Sequence, residues 1–141
     1  MPNLPYEIID KILEYIEDIE IPIKLKRYHP LISRVTMDEA SSKGYLELVK
    51  YLHKQGKTCT TSAMNCAVQN GHLETIKYLH EVVQTKCTLM ALDFAAANGY
   101  LEIVKYLRET VGVKYIRCAM NWAAKNGHLK VVEYLLECVQ Q

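Results

Sequence analysis

The sequence predicts an all-α solenoid: a row of four short helix-turn-helix repeats behind an N-terminal capping helical segment. Three observations predict it. Glycines at 44, 71, 99 and 127 are separated by 27, 28 and 28 residues, and similar residues surround each of them. Apolar residues recur at helical spacing on both sides of these glycines. All four prolines (Pro2, Pro5, Pro22, Pro30) fall in the first thirty residues, whereas all six glycines and all five cysteines come after residue 43. A fixed period in this range means stacked units, none of which can bury its apolar stripe alone.

Size and composition set the bounds. A chain of 141 residues and 16.2 kDa has room for one domain or a short repeat array. Half of the residues are apolar and 23% are charged, close to average globular usage, which argues against a disordered chain. Apolar runs are broken by a charge within a few residues, too soon for a membrane helix. The opening MPNLPYEIIDKILEYIEDIE carries carboxylates among its apolar positions and so is not a signal peptide. A net charge of +1 gives no electrostatic reason to expect nucleic acid or an acidic membrane as partner. Five cysteines without a secretion signal or a C-x-x-C pair read as free, mostly buried thiols in a reducing cytoplasm.

Aligned on the glycines, four segments read GYLELVKYLH, GHLETIKYLH, GYLEIVKYLR and GHLKVVEYLL. Upstream, SAMNCAVQNG, MALDFAAANG and CAMNWAAKNG match one another, and VTMDEASSKG is a fainter version. Ala40, Ala67, Ala95 and Ala123 share a column, as do Met37, Met64, Leu92 and Met120. Each second half carries one helical stripe: Leu46/Val49/Leu52, Leu73/Ile76/Leu79, Leu101/Val104/Leu107 and Leu129/Val132/Leu135. Glycine takes the left-handed conformation without a Cβ clash, so it stops the first helix of each unit. KQGKTCTT, VQTKCTL and VGVKYIR are polar or β-branched and read as connectors. The expected units are about 35–61, 62–89, 90–117 and 118–141, with 1–34 as a separate N-terminal segment.

AVQNGHLETIKYLHE and AAKNGHLKVVEYLLE resemble the second half of the ankyrin repeat, with its Ala-Ala-x-x-Gly-His-Leu-Glu-Val-Val core. The similarity runs over roughly residues 35 to 139. Two features depart from the family pattern. Val-Thr-Met-Asp, Ser-Ala-Met-Asn, Met-Ala-Leu-Asp and Cys-Ala-Met-Asn replace the usual Thr-Pro-Leu-His opening, and the period is 28 instead of 33. The missing residues fall in the connector that ordinarily makes a projecting β-turn finger, so helix pairs with little or no β-hairpin are expected. Shortened units of this Asn-Gly-His-Leu-Glu kind resemble the arrays of amoebae and of the large DNA viruses that infect them.

The repeat columns divide into jobs. Glu47/Lys50, Glu74/Lys77 and Glu102/Lys105 are i,i+3 pairs, reversed in the last unit to Lys130/Glu133. They suit local surface ion pairs worth about 0.2–0.5 kcal/mol each. Tyr51, Tyr78, Tyr106 and Tyr134 form one ladder, expected to pack their rings and keep their hydroxyls at the rim. Histidines recur in columns (His53 with His80, His72 with His128), as do Cys59 and Cys87. Residues of one column stand about 10 Å apart, roughly one helix-pair spacing, too far for two of them to share a zinc ion. No carboxylate dyad, Ser-His-Asp set or glycine-rich phosphate loop is evident. The expectation is a protein that is not an enzyme, with no catalytic, metal or cofactor site.

Recognition is expected on the first helices, which the ankyrin resemblance places along a concave groove. Cys66, Phe94 and Trp122 share a column there, with Glu39 in the first unit. Aromatic anchors are enriched in binding hot spots. The alternative is that Phe94 and Trp122 fill space between repeats. Gln69 and Lys125 belong to a column that varies from unit to unit (Ser42, Gln69, Ala97, Lys125), where specificity can be written.

The N-terminal segment reads differently. Pro5 suits a first helical turn, Ile8, Ile9, Ile12, Leu13 and Ile16 make a wide apolar face, and the helix is expected to run to about Asp18. IEIPIKLKRYHPLIS, with its basic cluster Lys24, Lys26 and Arg27, reads as a turn with a short helix. Leu4-Pro5-x-Glu7-Ile8-x-x-x-Ile12-Leu13-x-x-Ile16 also resembles the opening of an F-box. That family binds the adaptor of cullin-type ubiquitin ligases, which would make Leu4, Pro5, Ile8, Ile12 and Leu13 adaptor contacts. The usual Trp of the third F-box helix has no counterpart, and the first repeat begins before a whole F-box is complete. The other reading is a cap for the exposed end of the stack. The function expected is protein–protein interaction, in the cytoplasm (of a host cell, if the source is viral). The alternatives are a ubiquitin-ligase substrate adaptor and a structural subunit of a larger assembly.

Overall fold

The computed structural model describes residues 6–14, 35–114 and 116–140. Leu4, Pro5, the continuation of the first helix to Asp18, and the stretch with Lys24, Lys26 and Arg27 lie outside the described residues. A helix α1 (Tyr6–Glu14) precedes the array. The array then runs α2 (Met37–Lys43), α3 (Leu46–Lys54), α4 (Thr61–Gln69), α5 (Leu73–Glu81), α6 (Leu89–Ala97), α7 (Leu101–Tyr106), α8 (Arg117–Lys125) and α9 (Leu129–Gln140). Even-numbered members from α2 to α8 are the first helices of the units, and α3, α5, α7 and α9 are the second. No strand occurs among the described residues, in keeping with the shortened connectors.

Each first helix ends in the same way. Gly44 closes α2 at φ +73°, donating its N–H to the Ser41 carbonyl, and Tyr45 donates to the Ala40 carbonyl. The pair of bonds is a Schellman cap, and it recurs at Gly71, Gly99 and Gly127, all with φ between 74° and 79°. Glycine is required at three of these sites for a second reason. A Cβ on Gly71 would stand 2.9 Å from the Tyr100 ring, and one on Gly44 or Gly99 would enter the ring of His72 or His128. The His/Tyr column after each glycine thus packs on the glycine of the preceding unit.

Alanines set the spacing of the stack. Ala63, Ala67, Ala91, Ala95, Ala119 and Ala123 are fully buried on α4, α6 and α8, and such small side chains let the helices approach closely. Neighbouring first helices contact one another far more than neighbouring second helices do. Closer packing on one side curves the array, leaving the first helices on its inner face. Met37, Met64 and Leu92 fill the same buried column, and Leu48, Leu52, Ile76, Leu79, Val104, Leu107 and Leu135 complete the core from the second helices. α7 passes into a π-helical turn, Leu107–Val111, so the chain stays helical further into VGVKYIR than its connector reading implied. Gly112 at φ +83° ends that turn, and Val113 returns its N–H to the Leu107 carbonyl.

Polar ladders join the units. The Tyr78 hydroxyl bonds His53 Nδ1 at 2.9 Å, and Tyr106 and Tyr134 donate to Glu81 and Glu109 at 2.9 and 2.7 Å. Their rings pack against the core while the hydroxyls reach back one unit at the rim. Burial, reinforced by the glutamate at each hydroxyl, pushes both tyrosine pKa values well above the ordinary 10. Asn70 Nδ2 donates to the Ser42 carbonyl and Asn126 Nδ2 to the Ala97 carbonyl, at 2.9 and 2.8 Å. The variable column before each Asn-Gly therefore serves partly as a backbone acceptor for the next unit.

Helix α1 closes the first unit. Ile9 and Leu13 are buried in the core, each contributing about 1.5–3 kcal/mol by the area they remove from water. Asp10 Oδ1 accepts the Leu48 N–H at 2.9 Å, in the first turn of α3. The helix's own N-cap, Tyr45, supplies no side-chain bond, so a carboxylate from another helix does the capping.

Two sequence expectations are corrected. The five cysteines are free but not mostly buried: Cys59, Cys66, Cys87 and Cys138 are half-buried and Cys118 is exposed. Burial still pushes the Cys87 thiol up to about 11, so it is protonated at neutral pH. The ion pair forms in the first three units, at 2.9, 3.0 and 3.4 Å, whereas the reversed Lys130 and Glu133 do not pair. Glu N-terminal to Lys follows the helix dipole and the reversed order opposes it.

Candidate functional site

Phe94 and Trp122 meet on the inner face of the array. With Met90, Asp93 and Ala97 they line a groove of about 250 Å³ between α6 and α8. Phe94 is half-buried and packs against the core, while Trp122 is 46% exposed and Met90 57%. The column therefore divides between the two readings that the sequence leaves open. Phe94 fills the joint between repeats and Trp122 forms the open wall. The reason lies in position: Phe94 has α8 beside it, whereas among the described residues no further first helix covers Trp122.

Lys125 Nζ lies 5.2 Å from the centroid of the Trp122 ring, an exposed cation–π contact worth about 0.5–1 kcal/mol. Cys66 is half-buried and Gln69 exposed, one unit away on α4, and neither lines this groove. Of the five groove residues chosen from sequence, Phe94, Trp122 and Lys125 come together and Cys66 and Gln69 stand apart.

Two wall residues escaped the sequence reading. Met90 sits one turn before Phe94 on the same face of α6, two positions before the Leu92 column, and nothing in the repeat marks it. Asp93 carries a legible signal. In the first unit Asp38 accepts the N–H and hydroxyl of Thr60, at 2.9 and 2.6 Å. In the second, Asn65 accepts the hydroxyl of Thr88 at 2.8 Å. The next pair in register is Asp93 and Ile116, and isoleucine has no hydroxyl. Ile116 supplies no side-chain cap to α8 either. Asp93 thus has no hydrogen-bond or ion-pair partner among the described residues, and burial raises its pKa above the ordinary 3.8.

The F-box-like residues are divided by the fold. Ile8 is 43% exposed, Ile12 is half-buried, and Leu13 is buried against the array. Leu4 and Pro5 lie outside the described residues. Among the described residues no group of three His, Cys, Asp or Glu side chains is arranged to hold a metal ion. His72 and His128 sit on glycines of the preceding unit, and His128 Nε2 donates to the Ala97 carbonyl at 3.0 Å. No helix among them is long and apolar enough to cross a membrane.

The comparisons agree with this architecture. A family model for ankyrin repeats (three copies) matches residues 37–117 and 84–141. The two matches span the whole array, and the chain belongs to the ankyrin-repeat family. Ankyrin repeats generally mediate protein–protein interaction. No curated protein matches the chain.

Proposed function

We propose that this protein is a non-enzymatic binding scaffold that takes a protein segment along its first-helix face, with the groove between α6 and α8 as the anchor point. The observation that carries the reading is Trp122. A tryptophan with nearly half its surface in water, beside an exposed Met90 and a half-buried Phe94, is an apolar site of the kind that hot spots use. Cys66 and Gln69 on α4 would meet the more distant part of the same segment. The test is affinity capture from cell lysate with three proteins: the wild type, Trp122→Ala, and Lys77→Ala on the opposite, second-helix side. Proteins recovered by the wild type and by Lys77→Ala but lost with Trp122→Ala are the expected result. An identical captured set for all three would overturn the reading.

Two other readings each have one observation behind them. Ile8 keeps an apolar surface on α1 that an F-box adaptor would use with Leu4, Pro5 and Ile12, although Leu13 is already spent on the core. Leu129, Leu136 and Val139 on α9 are exposed, which suits a subunit packed into a larger assembly. A cytoplasmic site of action, that of a host cell if the source is viral, fits the free thiols.

A further inference from the structure

We propose that the groove between α6 and α8 reads an arginine: the anchor of the bound protein segment is a guanidinium that pairs with Asp93 and lies against the Trp122 ring. This rests on the protein-binding reading above and adds the chemistry of the ligand. The repeat breaks at this groove. Asp38 and Asn65 are each satisfied by a threonine hydroxyl of the next unit, whereas Ile116 leaves Asp93 without one. A half-buried carboxylate with no partner among the described residues therefore lines a groove whose other walls are Met90, Phe94, Ala97 and Trp122.

One negative charge among apolar and aromatic walls selects a ligand that is cationic and flat. A hydrated ammonium meets the charge but gains little from the walls, whereas an arginine does both. Its planar fork matches a carboxylate with two parallel hydrogen bonds, and its weakly hydrated plane stacks on an indole. Lys125 supports the same conclusion, because its ammonium already lies over the Trp122 ring. Among the described residues it is held only by that exposed contact and is displaced when a guanidinium arrives, so Lys125 acts as a weak internal competitor.

The test is selection of a random twelve-residue displayed peptide library on the full chain, followed by titration of individual peptides. Trp122 is the only tryptophan, so its fluorescence reports on the groove directly. The selected peptides are expected to share an arginine. Replacing that arginine by norleucine, or Asp93→Asn in the protein, weakens binding about tenfold to hundredfold, the worth of a hydrogen bond to a charged group. The two changes together cost no more than either alone. Ile116→Thr, which returns a hydroxyl to Asp93 while keeping the carboxylate, also weakens binding, and Lys125→Ala tightens it.

Each contrary result has a distinct meaning. Selected peptides with no common arginine, or binding that Asp93→Asn leaves unchanged, overturn the arginine assignment and leave the scaffold reading standing. Failure of the library to enrich at all, or enrichment that Trp122→Ala does not touch, overturns both. Circular dichroism of each variant separates a lost fold from a lost contact.

Discussion

Asn-Gly-His-Leu occurs twice in this chain, at 70–73 and at 126–129, and the two copies meet different surroundings. In the first, the Tyr100 ring of the next unit lies on Gly71, and Leu73 is half-buried against the core. In the second, no described residue stands within 4 Å of where a Cβ on Gly127 would be, and Leu129 is 69% exposed. Backbone conformation is the same in both: each glycine is left-handed and each makes the same pair of capping bonds. Local residues thus fix the turn, while the neighbouring unit decides which side chains it buries. The contrast with the other end is equally plain. There α1 supplies Ile9 and Leu13 to the core and Asp10 to the first turn of α3.

The largest effect is expected from a methyl group added at equivalent glycines. Gly99→Ala meets both a left-handed backbone and the His128 ring, and is expected to cost about 2–4 kcal/mol. Gly127→Ala meets only the backbone penalty, about 1–2 kcal/mol. Urea titrations of the two variants measure the difference, which is the worth of the ring contact. Equal losses would show that the ring moves aside freely.

A smaller separation is expected from the leucines that follow. Leu73→Ala should lose about 1–2 kcal/mol, while Leu129→Ala should stay within about 0.5 kcal/mol of the parent. If Leu129→Ala proves as costly as Leu73→Ala in the isolated protein, then Leu129 is covered in solution. At the closed end, Asp10→Ala removes the acceptor for the Leu48 N–H and should cost about 1 kcal/mol. Asp10→Asn keeps an acceptor oxygen and should recover most of that loss, as thermal melts of both variants would report.

The smallest effect concerns Asp93, and its sign follows from burial. A carboxyl whose folded pKa is raised holds its proton more tightly in the folded state than in the unfolded chain. Its contribution to stability is therefore full below about 3.8 and is lost as the pH rises through the raised folded value. Asp93→Asn should be slightly more stable than the wild type at neutral pH, with the gain vanishing near pH 3. Thermal melts across that range check it. A pH-independent difference would mean that Asp93 is solvated instead of desolvated.

Much of the fold is written in particular residues. Gly44, Gly71, Gly99 and Gly127 mark the turns because only glycine takes that backbone conformation at no steric cost, and they do so wherever they stand in the array. The alanine columns mark the close-packed faces, since residues repeated at one helical position must meet the same neighbour each time. The candidate site was only half legible. Phe94 and Trp122 share a column and so look alike in sequence, yet one is covered by a following helix and the other is not. Asp93 was visible only as a mismatch between columns some 23 residues apart, and its meaning required knowing that Asp38 faces Thr60.

The period, the turns and the stacking order follow from the residues alone, because each depends on short-range backbone sterics and on copies of one pattern. Tertiary structure alone decided which copy of a repeated residue is buried and which is open. It did the same for the polar residues: each is either satisfied by its neighbour, as Asn65 is, or left to find a partner elsewhere, as Asp93 is. Both depend on what the next unit brings to the interface, and no residue carries that information about itself.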